Sequence, residues 1–207
     1  MANSADRVIV IDDDPSVREA LDSLLRSVGL QISLYGSVAE FLSAPPPDGP
    51  SCLVLDVRLP GQGGLDFQRS LADQGMHLPI IFITGHGDIP MSVRAMKGGA
   101  VEFMTKPFHE QELLDAIFGG LERDRAHRGR KQAGDQLRAR YDSLSVRERE
   151  IMDLVVTGQL NKQVAATVGL SEITVKTHRG AVMRKMGAKT FADLVLMAQQ
   201  LKTADKD

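Results

Sequence analysis

The sequence predicts an α/β domain built on a doubly wound, five-stranded parallel sheet, followed by a smaller all-α domain. In the first 125 residues, five short apolar runs alternate with amphipathic segments, which is the pattern of βαβ units. After residue 140, capping residues and glycines mark a series of short helices instead. Residues 1–120 carry 8 basic and 16 acidic side chains, whereas residues 121–207 carry 17 and 11. This asymmetry indicates an acidic domain joined to one that contacts a polyanion.

The elements of the first domain follow from hydrophobic periodicity. We expect strands near residues 7–11, 31–35, 51–55, 79–83 and 101–104. The segments between them predict helices near residues 15–28, 37–43, 64–74, 89–97 and 110–125. Cys52 is the single cysteine and falls inside the third apolar run, so we expect it to be a small buried hydrophobe without a disulfide partner.

Acids, a hydroxyl and an ammonium come at or just after four of these apolar runs. The residues are Asp12, Asp13, Asp56, Thr84 and Lys106. Because the carboxyl ends of parallel strands gather at one edge of the sheet, where such folds bind ligands, we expect these side chains to form one site. Three clustered carboxylates repel one another and raise each other's pKa unless a cation is present. The cluster therefore predicts an Mg²⁺ site, which Mn²⁺ would also suit.

These residue types suit phosphoryl transfer to a carboxylate, a reaction that needs a hard cation, a nucleophile and fixed positive charge. We assign Asp56 as the nucleophile and phosphoryl acceptor because a strand presents it rigidly. Lys106 and Thr84 would then bind the phosphoryl oxygens. An aspartyl phosphatase of the haloacid-dehalogenase kind also uses a strand-end aspartate, but it requires a second acid two positions later, where this chain has Arg58.

Residues 7 to about 120 resemble the receiver domain of two-component response regulators. The stretch ITGHGDIPMSVRAMKGGAVEFMTKPF, residues 83–108, is similar to the FixJ type in particular. The resemblance implies a flavodoxin-like fold and phosphorylation of Asp56 by a sensor histidine kinase. It also implies that the chain is not an enzyme acting on a separate substrate, since phosphoryl transfer and autodephosphorylation occur on the chain itself.

The resemblance also implies roles for individual residues. The metal ligands would be Asp12 through water, Asp13 directly, Asp56, and the main-chain carbonyl of Arg58. Thr84 matches the switch hydroxyl, Lys106 the family lysine, and Phe103 the rotating switch aromatic. Val93 and Lys97 match the dimer contacts of FixJ-type proteins.

A charged segment at residues 121–140 is predicted to link the two domains. It is poor in large apolar residues and contains six arginines and one lysine between residues 123 and 140. Its composition favours helix, but each glycine within it costs about 1 kcal/mol relative to alanine. We expect a partly helical, movable connector, which would present a solvated helix face or contact DNA phosphates.

Capping signals divide residues 141–207 into short helices. Ser145 and Glu148 form a capping box for a helix ending near residue 156. Asn161 is expected to cap a helix over 162–168, and Ser171 one over 172–186. Two helices joined by a short turn with glycine are typical of a helix-turn-helix.

Residues 141–202 resemble the four-helix DNA-binding domain of the LuxR/FixJ family, carried by LSVREREIMDLVVTGQLNKQVAATVGLSEITVKTHRGAVMRKMGAKT. The family makes base contacts from the positions of Lys176, Thr177 and Gly180, but Gly180 has no side chain with which to read a base. We therefore expect base contacts from Lys176 and Thr177, with Arg179 and Arg184 on the DNA backbone.

The last helix, near residues 191–201, presents an apolar stripe that could dimerise this domain or pack into its core, and we leave both open. The stripe consists of Leu194, Met197, Ala198 and Leu201.

Together these features predict a transcription factor controlled by phosphorylation of Asp56. The expected partners are a cognate sensor histidine kinase, double-stranded promoter DNA and a second copy of the chain after phosphorylation, with RNA polymerase as a further candidate. Neither a signal-peptide core nor a membrane-spanning run occurs, so the expected compartment is the cytoplasm and no membrane partner is expected. The alternative is a constitutive DNA-binding regulator whose receiver is a protein-interaction scaffold.

Overall fold

The computed structural model describes residues 6–204, and in this part of the chain five strands form one parallel sheet. The strands are β1 (Arg7–Ile11), β2 (Gln31–Tyr35), β3 (Ser51–Asp56), β4 (Ile80–Thr84) and β5 (Glu102–Thr105). Their order is β2-β1-β3-β4-β5, and every neighbouring pair is parallel. The prediction of a doubly wound five-stranded sheet is confirmed, with β4 and β5 each lying one residue later than expected.

Helices follow the strands and then form the second domain. They are α1 (Pro15–Ser27), α2 (Val38–Leu42), α3 (Gly64–Asp73), α4 (Ile89–Lys97), α5 (Glu110–Asp142), α6 (Val146–Val155), α7 (Asn161–Val168), α8 (Glu172–Met186) and α9 (Phe191–Ala204). The side chains of Asp14, Ser37 and Asp88 cap α1, α2 and α4 by accepting main-chain N–H groups. Within residues 6–204, no helix is both long and apolar enough to cross a membrane.

The sheet of the first domain has an apolar layer on each face. Leu21 and Leu25 of α1 pack with Leu113 and Ile117 of α5 on one face. On the other face, α3 and α4 contribute buried side chains, among them Phe67 of α3. The central strand β3 is buried along its whole length, as the predicted continuous apolar run requires. Cys52 of β3 is fully buried, and burial raises the pKa of its thiol to about 12.

The long helix α5 differs from the partly helical connector that we expected. It runs without a break from Glu110 to Asp142, although the chain divides into two compact units between Arg128 and Gly129. In the first unit, the buried carboxylate of Asp124 accepts hydrogen bonds from the Ser51 main-chain N–H at 2.8 Å and from Arg128 Nε at 2.7 Å. The contact with Ser51 is tertiary, whereas the one with Arg128 lies within α5 and carries the helix past residue 125 despite the glycines.

The second unit has its own apolar core, to which all of its helices contribute. Leu194, Ala198 and Leu201 of α9 are buried in this core, and Met197 packs against it. The apolar stripe of α9 therefore packs into the core of its own domain, which is one of the two roles, core packing or dimerisation, that the sequence left open.

The expected capping of α7 by Asn161 is wrong. The residue before the helix is Leu160, whose N–H donates to Gln163 Oε1 at 2.8 Å. Asn161 Oδ1 instead accepts a hydrogen bond from Arg179 of α8 at 2.6 Å. The hydrogen bond from Arg179 thus takes the place of the N-cap role that asparagine commonly has at the start of a helix.

The start of α6 holds a partly buried ion pair, between buried Glu148 and exposed Lys185, in addition to the expected capping box. Glu148 accepts from the Ser145 N–H at 2.7 Å and from Lys185 Nζ of α8 at 2.6 Å. These hydrogen bonds, that of Lys185 first, lower the pKa of the Glu148 carboxyl below its usual value. Because the folded pKa is lowered, the resulting stability is present above the unfolded pKa and is lost as pH falls through the folded pKa.

Replacing Glu148 by glutamine should lower the free energy of unfolding of the second unit by about 1 kcal/mol near neutral pH, because the charge on Lys185 loses its partner. The difference from wild type should vanish in acid, where the protonated Glu148 of wild type and the glutamine of the variant are both neutral. Hydrogen exchange of the α6 and α8 amides at two pH values measures this directly. Glu150→Gln, which removes an exposed pair with Arg147, should change little. A deficit of Glu148→Gln that persists at low pH would contradict the charge-based explanation.

Candidate functional site

The predicted acidic residues meet at the carboxyl edge of the sheet. Asp56 is the last residue of β3, and Asp12 and Asp13 follow β1, which is the neighbour of β3. One carboxylate oxygen from each of the three lies within 4.8 Å of the others. Asp12 is fully buried, Asp56 is 7% exposed, and Asp13 faces solvent. The cluster is thus open to solvent on the Asp13 side.

Lys106, which follows β5, connects two of the three acids. Its Nζ donates to Asp12 Oδ2 at 2.6 Å and to Asp56 Oδ2 at 3.0 Å. Burial raises the pKa of the Asp12 carboxyl and outweighs the opposing hydrogen bond from Lys106. Burial also opposes the charge of Lys106, but its hydrogen bonds to Asp12 and Asp56 outweigh burial, so the pKa of the ammonium lies above its usual value. The raised pKa of Lys106 indicates that the two acids stabilise a positive charge at this edge, and the raised pKa of Asp12 indicates that its buried negative charge is costly.

Main-chain contacts fix the two buried carboxylates. Asp12 Oδ1 accepts the Asp14 N–H at 2.9 Å, and Asp56 Oδ1 accepts the Arg58 N–H at 2.9 Å. Arg18 of α1 donates to the main-chain carbonyl of Asp12 at 2.6 Å. Sequence reasoning missed Arg18, since a single arginine on an amphipathic helix gives no sign that it reaches a strand end. Oxygen ligands held in this way fit a hard cation such as Mg²⁺.

Thr84 and Phe103 both lie close to one glycine, Gly87. Thr84 ends β4, is fully buried, and its Oγ1 accepts the His86 N–H at 3.3 Å. A Cβ added at Gly87 would lie 2.9 Å from Thr105 Cγ2, 3.0 Å from Phe103 Cε1 and 3.2 Å from Thr84 Cγ2. The loop main chain at Gly87 therefore packs directly against the two predicted switch residues. Sequence reasoning missed Gly87, because this contact joins residues from different strands.

The remaining predicted receiver residues are at the surface. Arg58 is exposed two residues after the end of β3. Val93 and Lys97 lie on α4, with Val93 44% exposed. Ile89 and Met96 of the same helix are also exposed, at 80% and 45%. The surface of α4 is therefore more apolar than the two expected dimer residues alone indicated.

Helix α8 exposes most of the residues that we assigned to DNA contacts. Lys176, Thr177 and Arg184 are exposed, and the core of the domain buries the opposite side of the helix. The side chain of Ser171 caps α8 by accepting the Thr174 N–H, as expected. The left-handed residue Gly169, with φ of 67°, forms the turn between α7 and α8.

Arg179 is the exception, because it is partly buried within the domain. Its Nη1 donates to Asn161 Oδ1 of α7, and its guanidinium carbon lies 5.4 Å from the ring centroid of Phe191 in α9. Arg179 therefore joins three helices of the domain. A guanidinium carries five N–H donors, so this hydrogen bond leaves others for a ligand.

Comparison with known proteins agrees with both halves of this structure. Residues 8–118 match the family "Response regulator receiver domain", and residues 142–198 match "Bacterial regulatory proteins, luxR family". The chain is 56% identical to Nodulation protein W of Bradyrhizobium diazoefficiens, over 94% of this chain and 86% of that protein. It is 42% identical to the transcriptional regulatory protein FixJ of Azorhizobium caulinodans, over 97% of this chain and 95% of FixJ.

A solved structure resembles the whole chain. The response regulator StyR has a TM-score of 0.87 at 44% identity, covering 95% of this chain and 99% of StyR. Response regulators of this kind are transcription factors rather than enzymes, and their two domains imply a sensor kinase and DNA as partners. The chain therefore belongs to the FixJ-type response regulators of two-component systems, with a receiver domain followed by a LuxR-type DNA-binding domain.

Proposed function

We propose that Asp56 accepts a phosphoryl group from a sensor histidine kinase and that this modification controls DNA binding by α8. The observation that carries the proposal is the meeting of Asp12, Asp13 and Asp56 with Lys106 at one sheet edge. An anionic cluster with two buried carboxylates, one exposed carboxylate and one ammonium suits a site where a further anion, the phosphoryl group, is bound together with a cation.

The chemistry follows from the donors around Asp56. Asp12, Asp13, Asp56 and the main-chain carbonyl of Arg58 would hold Mg²⁺ or Mn²⁺, which supplies positive charge to the transferring oxygens. A carboxylate oxygen of Asp56 attacks phosphorus while the bond to the histidine nitrogen breaks, and the histidine takes up a proton. Lys106 then moves its hydrogen bond from Asp56 to a phosphoryl oxygen, which requires only a small displacement of its flexible stem.

The same phosphoryl group would reorganise the adjoining surface. Thr84 turns its hydroxyl from the His86 N–H toward a phosphoryl oxygen, and Phe103 moves into the space released. The packing of both side chains against Gly87 supports such coupling. Dimerisation through Val93 and Lys97 of α4 follows as a further step of the proposal.

In the second domain, α8 would be the recognition helix in the major groove. Lys176 and Thr177 would contact base edges, and Arg184 a phosphate, since all three are exposed. Arg179 would contact a phosphate only with the donors that Asn161 does not use. RNA polymerase remains a further candidate partner of the DNA-bound protein.

The test uses the full chain, acetyl phosphate and Mg²⁺. We expect intact mass spectrometry to show one added phosphoryl group that hydroxylamine removes, and we expect chelation of the cation to prevent its addition. Binding to DNA selected from random sequences should tighten by about 10-fold, the range of typical allosteric coupling, and sizing should show a dimer. Absence of any labile adduct in a folded sample would overturn the proposal. An adduct with unchanged DNA affinity and size would instead support the constitutive regulator with a scaffold receiver.

A further inference from the structure

One large apolar side chain stands on the outward side of α8. Ile173, the second residue of this helix, is 80% exposed. Lys176, Thr177 and Gly180 follow it at three, four and seven positions, so helical spacing places all four on one side. We call these four residues the outer face of α8. Two of the four, Lys176 and Thr177, were expected to contact DNA, whereas sequence reasoning gave Ile173 no role.

The hydroxyl groups near the start of α8 are engaged within the helix. Ser171 Oγ caps the Thr174 N–H and shares a 2.8 Å hydrogen bond with Thr174 Oγ1. Thr177 Oγ1 donates to the main-chain carbonyl of Ile173 at 3.1 Å. With its hydroxyl bound in this way, Thr177 offers a methyl group for outward contact. At its first two turns, the outer face of α8 therefore presents apolar groups beside the ammonium of Lys176.

Gly180 leaves the same face open one turn further on. A Cβ added at Gly180 would meet no protein atom within 4 Å, so packing within the domain does not require glycine here. Glycine nevertheless destabilises a helix relative to alanine. Because no contact within the domain requires glycine at this position, it fits a place where the surface of a binding partner approaches the helix main chain closely.

We propose that Ile173 reads the 5-methyl group of a thymine in the major groove of DNA. Thymine is the base that presents a methyl group on that edge, and apolar side chains recognise it by contact. Residues near the N-terminus of a recognition helix are the ones that reach base edges. Lys176 and Arg184 are exposed on the helix against one exposed acid, Glu172, so a polyanion fits this surface better than a neutral apolar partner. This inference rests on the DNA-binding role proposed above.

A scan with uracil tests the contact, since deoxyuridine differs from thymidine only by the missing methyl group. The DNA is a site that the full, phosphodonor-treated chain selects from random sequences, with each thymine replaced in turn. We expect one thymine of each half-site to be sensitive, with uracil weakening binding about 4-fold, which corresponds to one buried methyl group. Ile173→Ala should bind the thymine site less tightly and should no longer distinguish uracil from thymine there.

Val146→Ala is the matched control, because Val146 is 76% exposed but lies on α6. It should keep the full uracil sensitivity of wild type. A selected site at which no thymine is sensitive, or a sensitivity that Ile173→Ala retains, would overturn the role of Ile173 while leaving DNA binding itself intact. Tighter DNA binding by Ile173→Ala without phosphodonor would also overturn it, since Ile173 would then restrain the resting protein. Failure of the wild-type chain to select any DNA would instead contradict the proposed function.

Discussion

Replacing Asp56 by asparagine should abolish phosphoryl uptake and, with it, the gain in DNA affinity on addition of a phosphodonor. The amide has no anionic oxygen to attack phosphorus, so the loss should be complete rather than partial. The fold should survive, because the amide oxygen can still accept the 2.9 Å hydrogen bond from the Arg58 N–H. The variant should therefore bind DNA with the affinity of the unphosphorylated wild type at every donor concentration.

The measurement pairs intact mass spectrometry with DNA-binding titrations in the presence of acetyl phosphate and Mg²⁺. Asp73→Asn serves as the control, since it changes an exposed carboxyl at the end of α3 without touching the acidic cluster. The control should acquire the adduct and respond like wild type. If Asp56→Asn acquired a hydroxylamine-sensitive adduct and tightened on DNA, the acceptor would be another side chain.

The composition of the acidic cluster could be predicted from sequence because each member stands next to a strand. The alternation of apolar runs fixes the sheet, and a parallel sheet brings its carboxyl ends together, so Asp12, Asp56 and Lys106 had to converge. The contacts that hold them could not be predicted in the same way. Arg18 donates to the main-chain carbonyl of Asp12, and Gly87 packs against Thr84 and Phe103. No local sequence pattern around an arginine or a glycine indicates contacts of this kind.

The length of α5 shows the same limit for secondary structure. Glycines and a high charge density at residues 121–140 favoured an interrupted connector, whereas the helix continues to Asp142. Its stabilising contact in the first unit joins Asp124 to Ser51, which lies 73 positions earlier. In the second unit, Leu137 and Tyr141 pack against the apolar core of that domain. Local propensity contains no information about either contact, because tertiary packing supplies most of the stability of a helix.

Gly64 is a position where steric contact with the acceptor strand leaves no room for a side chain. A Cβ there would overlap the main-chain oxygen of Asp56 and would lie 3.1 Å from Val57 Cα and 3.2 Å from Phe82 Cε1. The first two atoms belong to the main chain at the end of β3 and cannot rotate away. The Gly64 N–H also donates to the Val57 carbonyl at 3.0 Å, which holds the start of α3 against this strand end.

Gly64→Ala should therefore lower the free energy of unfolding of the first domain by about 3 kcal/mol, the cost of overpacking a rigid site. The melting temperature should fall by about 10 °C, and any folded fraction should take up phosphoryl groups more slowly because the end of β3 must shift. Gly63→Ala is the matched control: its nearest protein atom would be 3.7 Å away, and its φ of −65° suits any residue. That variant should stay within about 0.5 kcal/mol of wild type. Both variants add one methyl group at adjacent positions, but only the methyl group at position 64 would clash with the main chain of β3. Equal stability of the two variants would therefore contradict the steric argument.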